Sequence, residues 1–259
     1  MSKKVFFTAI LFATLISCKQ KQETIATEKE AVSEINPPAK GFNLENSDEQ
    51  AILIADKVME AMGGRKNWDE TRYIGWNFFG SRKLLWDKKS GNVRIEIPSK
   101  QTVLLVNVFN HTGKVKIGEK QLTQPDSIAK YVKQAENIWI NDSYWLIMPF
   151  KLKDSGVTLK YLREDTVQTG QKAAVLQLTF EEVGKSPDNK YEVFVDKETN
   201  LVSQWAFFPT ANSDSARFIM PWKDYQLYGK IKLSRSRGKY VPSYLEVLEN
   251  VDDKKFKEF

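Results

Sequence analysis

The chain has 259 residues, 28% of them charged, with a formal net charge of +6 and a single cysteine and a single histidine. One cysteine excludes an intrachain disulfide framework and a cysteine-ligated metal cluster, and lysines that alternate with acids along the chain describe a solvated surface rather than a nucleic-acid-binding face. Aromatic residues make up 12% of the chain and include seven tryptophans, so apolar rings rather than ionisable clusters are the feature to explain.

The first eighteen residues, MSKKVFFTAILFATLISC, have the layout of an export signal. Lys3 and Lys4 form its positive start, and Val5 to Ile16 form an apolar run too short to cross a hydrocarbon core of roughly 30 Å as a helix. The run ends in Leu15-Ile16-Ser17-Cys18, the pattern of a bacterial lipobox, in which the cysteine is acylated and becomes the new N-terminus. Residues 1–17 are therefore expected to be removed. Cys18 is expected to anchor the chain to a membrane, since buried acyl chains contribute ~0.8 kcal/mol per methylene. Lys19, where an aspartate would favour inner-membrane retention, points to the outer membrane, and a tether that is not strongly acidic points to its periplasmic side. No later segment is apolar and long enough to span.

Residues 18–46 are polar, mixed in charge and carry Pro37-Pro38, the composition of a disordered tether with a reach of roughly 30 Å. Residues 47–259 are a suitable length for one domain and are expected to be monomeric. Ser47, with Gln50 three residues on, reads as a capping box opening a helix. The stripe Ala51, Ile52, Ala55, Val58, Met59, Met62 lines one face of it, and Gly63-Gly64 ends it. Strands follow. Trp76 and Phe78 share a strand face; residues 91–98 alternate with Val93, Ile95 and Ile97 on one side; residues 102–109 are apolar on both. A second helix is expected after Pro125, capped by Asp126 or Ser127, with Ile128, Tyr131, Val132, Ala135 and Ile138 along its face. It should continue irregularly toward Pro149, which removes a donor and restricts Met148. Beyond it, 173–180 gathers Ala174, Leu176, Leu178 and Phe180 on one face, 191–208 forms a hairpin turning at 197–200, and two further stretches supply the last strands. The expected fold is α+β but mainly β: an antiparallel sheet with one or two helices covering its apolar face.

Motifs for catalysis are missing. His111 lies in a turn, no G-x-S-x-G elbow accompanies it, and there is no zinc cluster, phosphate loop or dinucleotide fingerprint. No metal or cofactor is expected, and the chain is not expected to be an enzyme. Taken singly, each aromatic residue fits a core. A curved sheet covered by only two helices, however, leaves a concave apolar face that protein alone fills with difficulty.

The stretches AMGGRKNW, GWNFFGSRKLLWDKKSGNVRIEI, YWLIMPFKLKDSGVTLKY and WKDYQLYGKIKL resemble a family of outer-membrane lipoproteins related to the LolA/LolB lipoprotein carriers, over about residues 47–250. The resemblance implies an unclosed antiparallel half-barrel with helices as its lid, enclosing an apolar cavity that holds acyl chains. On that basis Trp76, Phe78, Trp86, Leu105, Trp145, Met148, Phe150, Leu178, Phe180 and Trp205 are the candidate cavity residues. Tyr144 to Phe150 would close the lid against the mouth, with Met148 and Phe150 bordering open volume. The segment Phe218-Ile219-Met220 is the nearest candidate for the exposed insertion loop of a LolB-type receptor, and reads equally well as strand. The implied function is a membrane-anchored binder of a lipid, an acyl chain or a lipoprotein. The alternative is a structural or interaction lipoprotein with a filled core. Replacement of Cys18 by alanine should leave the protein unprocessed or free in the envelope; unchanged mass and unchanged membrane fractionation would refute the anchor.

Overall fold

The computed structural model describes residues 35–181 and 188–259. The expected signal segment, Cys18 and most of the expected tether lie outside the described residues. The tether ends earlier than its composition suggests. A compact unit begins at Pro38; Ala39 N–H donates to Lys153 O (2.9 Å), Asn43 N–H to Val157 O (3.0 Å), and Phe42 is buried. The boundary expected at residue 46 was misplaced because one buried aromatic and a few backbone hydrogen bonds suffice to fix a polar segment.

Helix α1, Glu49–Ala61, buries Ala51, Ala55, Val58 and Met59, the face its periodicity specified. The capping box does not form. Asp48 is the N-cap, while Ser47 Oγ donates to Asn43 O and accepts from Leu159 N–H, and the Asp48 carboxylate accepts from Lys160 and from Tyr161 N–H. Both side chains that could cap the helix are used to fasten its start to a neighbouring strand. Gly63 and Gly64 do end it, at φ 115° and 86°, and a Cβ at Gly63 would lie 2.5 Å from Lys230 O. Only glycine fits both the conformation and the space. A short helix α2, Arg65–Glu70, follows.

Six strands come next: β1 (Tyr73–Phe78), β2 (Arg82–Asp87), β3 (Asn92–Ile97), β4 (Thr102–Asn107), β5 (Thr112–Ile117) and β6 (Lys120–Gln121). Helix α3, Pro125–Ile147, is regular throughout its 23 residues and has Gln124, not Asp126 or Ser127, as its N-cap. It gives way to a 3-10 turn, Met148–Lys151, at Pro149. Strands β7 (Val157–Thr166), β8 (Lys172–Phe180), β9 (Lys190–Asp196), β10 (Val202–Phe208), β11 (Phe218–Pro221), β12 (Lys223–Tyr228), β13 (Ile231–Ser236) and β14 (Leu245–Leu248) precede a last short helix, α4 (Lys254–Lys257). The segment 218–220 is therefore strand rather than loop, paired with β10 through Phe207↔Phe218 and Trp205↔Met220.

The strands form an antiparallel seven-stranded sheet in the order β14-β1-β2-β3-β4-β5-β6, a five-stranded sheet β11-β10-β9-β8-β7, and the hairpin β12-β13. None of the three closes on itself. Their inner faces share one apolar interior: Ile74, Ile95 and Leu104 from the first, Leu159, Leu176 and Val193 from the second, and Ile231 and Leu233 from the hairpin. Helix α3 contributes Val132, Ala135, Leu146 and Ile147 to the same interior. The molecule is thus an open half-barrel with α3 as its lid. Gly113 on β5 sets how closely the lid lies, since a Cβ there would be 3.0 Å from Val132 Cγ2.

Helix α1 is tied to the segment after α3 by a buried ion pair, Lys153 with Asp56, whose side chains are 5% and 2% exposed. A buried charge that loses its partner costs about 3–5 kcal/mol. Lys153→Met should therefore lower the unfolding free energy by that amount in urea titrations, and a change below ~1 kcal/mol would show that the pair is not desolvated.

Candidate functional site: the aromatic interior beneath helix α3

Lid helix α3 is held over the sheet at three places by polar contacts. In its C-terminal third, Arg82 of β2 donates from Nε and Nη2 to the two carboxylate oxygens of Asp142 at 2.7 and 2.9 Å, and the Asp142 side chain is wholly buried. At its middle, His111 Nδ1 lies 2.6 Å from Glu136 Oε1. His111 occupies the expected turn, with φ 59°, and is exposed as expected, while its Nδ1 reaches Glu136 of the lid. At the C-terminal end, Arg237 Nη2 donates to Trp145 O at 2.6 Å, which satisfies a carbonyl of the last turn and places a cation at the negative end of the helix dipole.

Beneath the lid the aromatic side chains form one connected group centred on Trp205. Its ring centroid lies 5.0 Å from Trp145, 5.2 Å from Tyr191, 5.7 Å from Trp222, 5.9 Å from Phe218 and 6.2 Å from Tyr144. Trp145 is edge-on to Phe78 at 6.3 Å, and Phe180 meets Tyr144 and Tyr191 at 6.4 and 5.8 Å. Trp86 packs on Trp139 of the lid at 5.4 Å. A void of about 20 Å³ lies where Trp76, Phe78, Phe79, Trp145 and Arg237 meet, room for one water.

Most of the sequence-derived set converges here. Trp76, Trp86, Met148, Phe150, Leu178 and Trp205 are buried in the shared interior, and Phe78, Trp145 and Phe180 pack against it. Leu105 does not belong to it. It pairs with Arg94 and Lys114, whose side chains point outward to carbonyls of the C-terminal segment, Lys255 and Glu258 for Arg94 and Lys257 for Lys114. Leu105 shares that outer face. Strand β4 is apolar on both sides because α4 covers the outer one, and the sequence alone did not show the second cover. Met148 and Phe150 also differ from expectation. Met148 is fully buried, and Phe150 is stacked on Trp68 at 4.3 Å, so both are packed among side chains rather than set against open volume.

The sequence reading missed the polar members of the site. Buried polar atoms without a partner among the described residues include Nε1 of Trp76, Trp86, Trp139, Trp205 and Trp222, the Tyr144 hydroxyl and Nε of Arg237. The indole and guanidinium groups can only donate. Burial pushes the Tyr144 phenol well above its usual pKa, so it too stays protonated, with a proton to donate. An arginine in SRSRGKY carries no sequence signal of burial, which is why Arg237 was not singled out.

An unclosed antiparallel half-barrel with a helical lid and an interior rich in unpaired donors defines the class of this protein. No family model matches the sequence, and no curated protein matches it. Among solved structures it is similar to a DUF1329 family protein from Desulfovibrio piger, at 12% identity and a TM-score of 0.44, covering 80% of this chain and 97% of that one. It is also similar to MucB, crystallised in complex with MucA(peri), at 12% identity and a TM-score of 0.23. There 80% of this chain aligns with 58% of MucB, so it spans under two thirds of that chain. Among the described residues no helix is long and apolar enough to cross a membrane.

The burial of Met148 has a direct test. Met148→Gln keeps the volume but desolvates an amide, and should cost ~1–3 kcal/mol in chemical unfolding. An unchanged unfolding midpoint would return Met148 to the edge of an open space.

Proposed function

We propose that this protein is a lipid-anchored envelope lipoprotein, tethered through Cys18 to the outer membrane and facing the periplasm, which takes an acyl chain of a lipid or lipoprotein between helix α3 and the half-barrel. The reading assigns it no catalysis. The observation that carries it is the chemistry of the interior: a large aromatic surface under a helix secured at a few polar points, with several buried donors lacking acceptors. Each unsatisfied buried donor costs about 1–3 kcal/mol, and a guest bearing acceptor oxygens would relieve that cost. The resemblance of the sequence to lipoproteins related to the LolA/LolB carriers supports the same reading.

With the lid closed, the 20 Å³ void is far too small for an acyl chain. On this reading entry has α3 swing away from β5 and the hairpin, breaking contacts such as Arg82–Asp142 while leaving the sheets intact. The complete burial of Met148, Leu178 and Trp205 favours one second reading, a lipoprotein whose core is filled by its own side chains and which acts through its surface. Protein extracted from its native envelope and examined by native mass spectrometry should carry a copurifying lipid, and the full chain should bind a fluorescent fatty acid saturably. Absence of both would favour the filled core.

A further inference from the structure

Arg237 is the one cation of the interior whose position the acyl-chain reading leaves unexplained. Its side chain enters from the end of β13, is 3% exposed, and stacks over Trp222 with Cζ 3.2 Å from the ring centroid. Burial pulls its guanidinium down to about 9, so it is still charged at neutral pH. No carboxylate among the described residues lies within ion-pair distance of it. Tyr225 acts on it electrostatically, and its own phenol is raised by burial and is neutral. Burying an unpaired charge is costly, and other arginines of this chain avoid it.

The two edges of the guanidinium are occupied differently. On one edge Nη1 donates to Ser234 Oγ at 2.7 Å and to Ser236 O at 3.0 Å, which fixes the group to its own hairpin. On the other edge Nη2 donates to Trp145 O and Nε has no partner. That Nε/Nη2 edge is the one with which Arg72 grips both oxygens of Asp87, and Arg82 both oxygens of Asp142. In Arg237 the same edge meets a single carbonyl, and the residue lines the void together with Trp76, Phe78, Trp145 and Asp142, whose carboxylate is gripped by Arg82. The edge is preorganised for a planar or tetrahedral oxyanion and currently holds half of what it can bind.

We propose that Arg237 is the receptor for the anionic head of the guest, a carboxylate or phosphate joined to the acyl chain. This rests on the acyl-chain reading and narrows it: the ligand is an acidic amphiphile, its head on the Nε/Nη2 edge and its tail along the tryptophan-lined interior. Binding exchanges the Trp145 carbonyl for the head, so loading the site and releasing the end of α3 are one event. The contact to Trp145 O is at once the latch of the empty form and the place the head will take.

The test uses the full chain carrying Cys18→Ser, with displacement of a fluorescent fatty acid by hexadecanoate and by hexadecanol, which share a tail and differ in the head. The parent should favour hexadecanoate by between about tenfold and hundredfold, the worth of charge-assisted hydrogen bonds. Arg237→Gln should bring the two affinities together while hexadecanol binds as before. Should Arg237→Gln fail to fold, Ser234→Ala, which removes one of the groups holding the guanidinium, should reduce the preference without abolishing it. An unchanged preference in these variants would make Arg237 a helix-capping residue only and overturn the proposal while leaving the acyl-chain reading intact. Binding of neither amphiphile by the parent would overturn both. Inorganic phosphate and a monoacyl phosphate, added separately, distinguish the source of the anion: competition by the acylated form alone supports a lipid head, and equal competition by the free ion overturns the lipid part of the proposal.

Discussion

The constraint on which the structure depends is that a sheet bent into half a barrel exposes a concave apolar face, and one helix must cover it. Helix α3 does so over 23 residues, about 35 Å at 1.5 Å per residue. Its apolar contacts alone would allow it to slide or rotate, because dispersion between rings and aliphatic side chains is weakly directional. Direction comes from the polar contacts. Arg82–Asp142 is bidentate and has its carboxylate wholly buried, so the pair fixes both the azimuth and the height of the lid. Gly113 allows the close approach, because a Cβ there would meet Leu105 O of the paired strand at 2.6 Å and Val132 Cγ2 of α3 at 3.0 Å. The end of the helix is held through Arg237, which belongs to the hairpin rather than to either large sheet. The lid is consequently tied to β2, to the β4–β5 turn and to the hairpin, and its position reports on all of them.

An interior lined with tryptophan meets two demands that ordinarily conflict. Packed against one another, the rings exclude water and fill space as a core does, with edge-to-face contacts such as Trp145–Trp205 adding about 0.5–1.5 kcal/mol each beyond their buried area. Each ring nevertheless carries a donor that a hydrocarbon core cannot satisfy. Among the described residues five such donors are unpaired, a cost the chain could have avoided with phenylalanine, an aromatic ring without an N–H. Their retention is intelligible if the interior spends part of its time around something that accepts hydrogen bonds.

The fold was legible in the sequence because strand alternation and helix periodicity are local. Val93, Ile95 and Ile97, the stripe from Ala51 to Met62 and the Gly63-Gly64 stop each state their own geometry within a few residues. The open sheet with a helix over it follows from those patterns. What was not legible depended on contacts distant in sequence. Ser47 looks like a cap until Leu159 is known to lie beside it, and Leu105 looks like a cavity residue until the C-terminal segment is seen to cover the outer face. Residues 38–46 look like tether until Phe42 is seen to be buried. The aromatic half of the site was readable as a composition, because tryptophans are few enough to count. The polar half was not, since Arg82, Asp142 and Arg237 are indistinguishable in sequence from surface charges on a chain that is 28% charged.

The polar half also decides which way a guest would move. Transfer of an acyl chain from water to an apolar interior yields ~0.8 kcal/mol per methylene, on the order of 12 kcal/mol for a hexadecyl tail, ample to offset the loss of a few lid contacts. If the chain is tethered to a membrane as proposed, however, it does not meet its guest in water. The tail of a bilayer lipid is already in hydrocarbon, so its transfer to the half-barrel is close to neutral, and the tail contributes little net drive. Whatever favours the protein over the bilayer must come from the head, through contacts that water and neighbouring lipids do not match. A buried arginine whose Nε lacks an acceptor, among unpaired indole donors, supplies contacts of that kind in a setting where water competes poorly for them. Selectivity for the head and opening of the lid would then share one guanidinium, and a neutral lipid of the same length would compete less well with the Trp145 carbonyl.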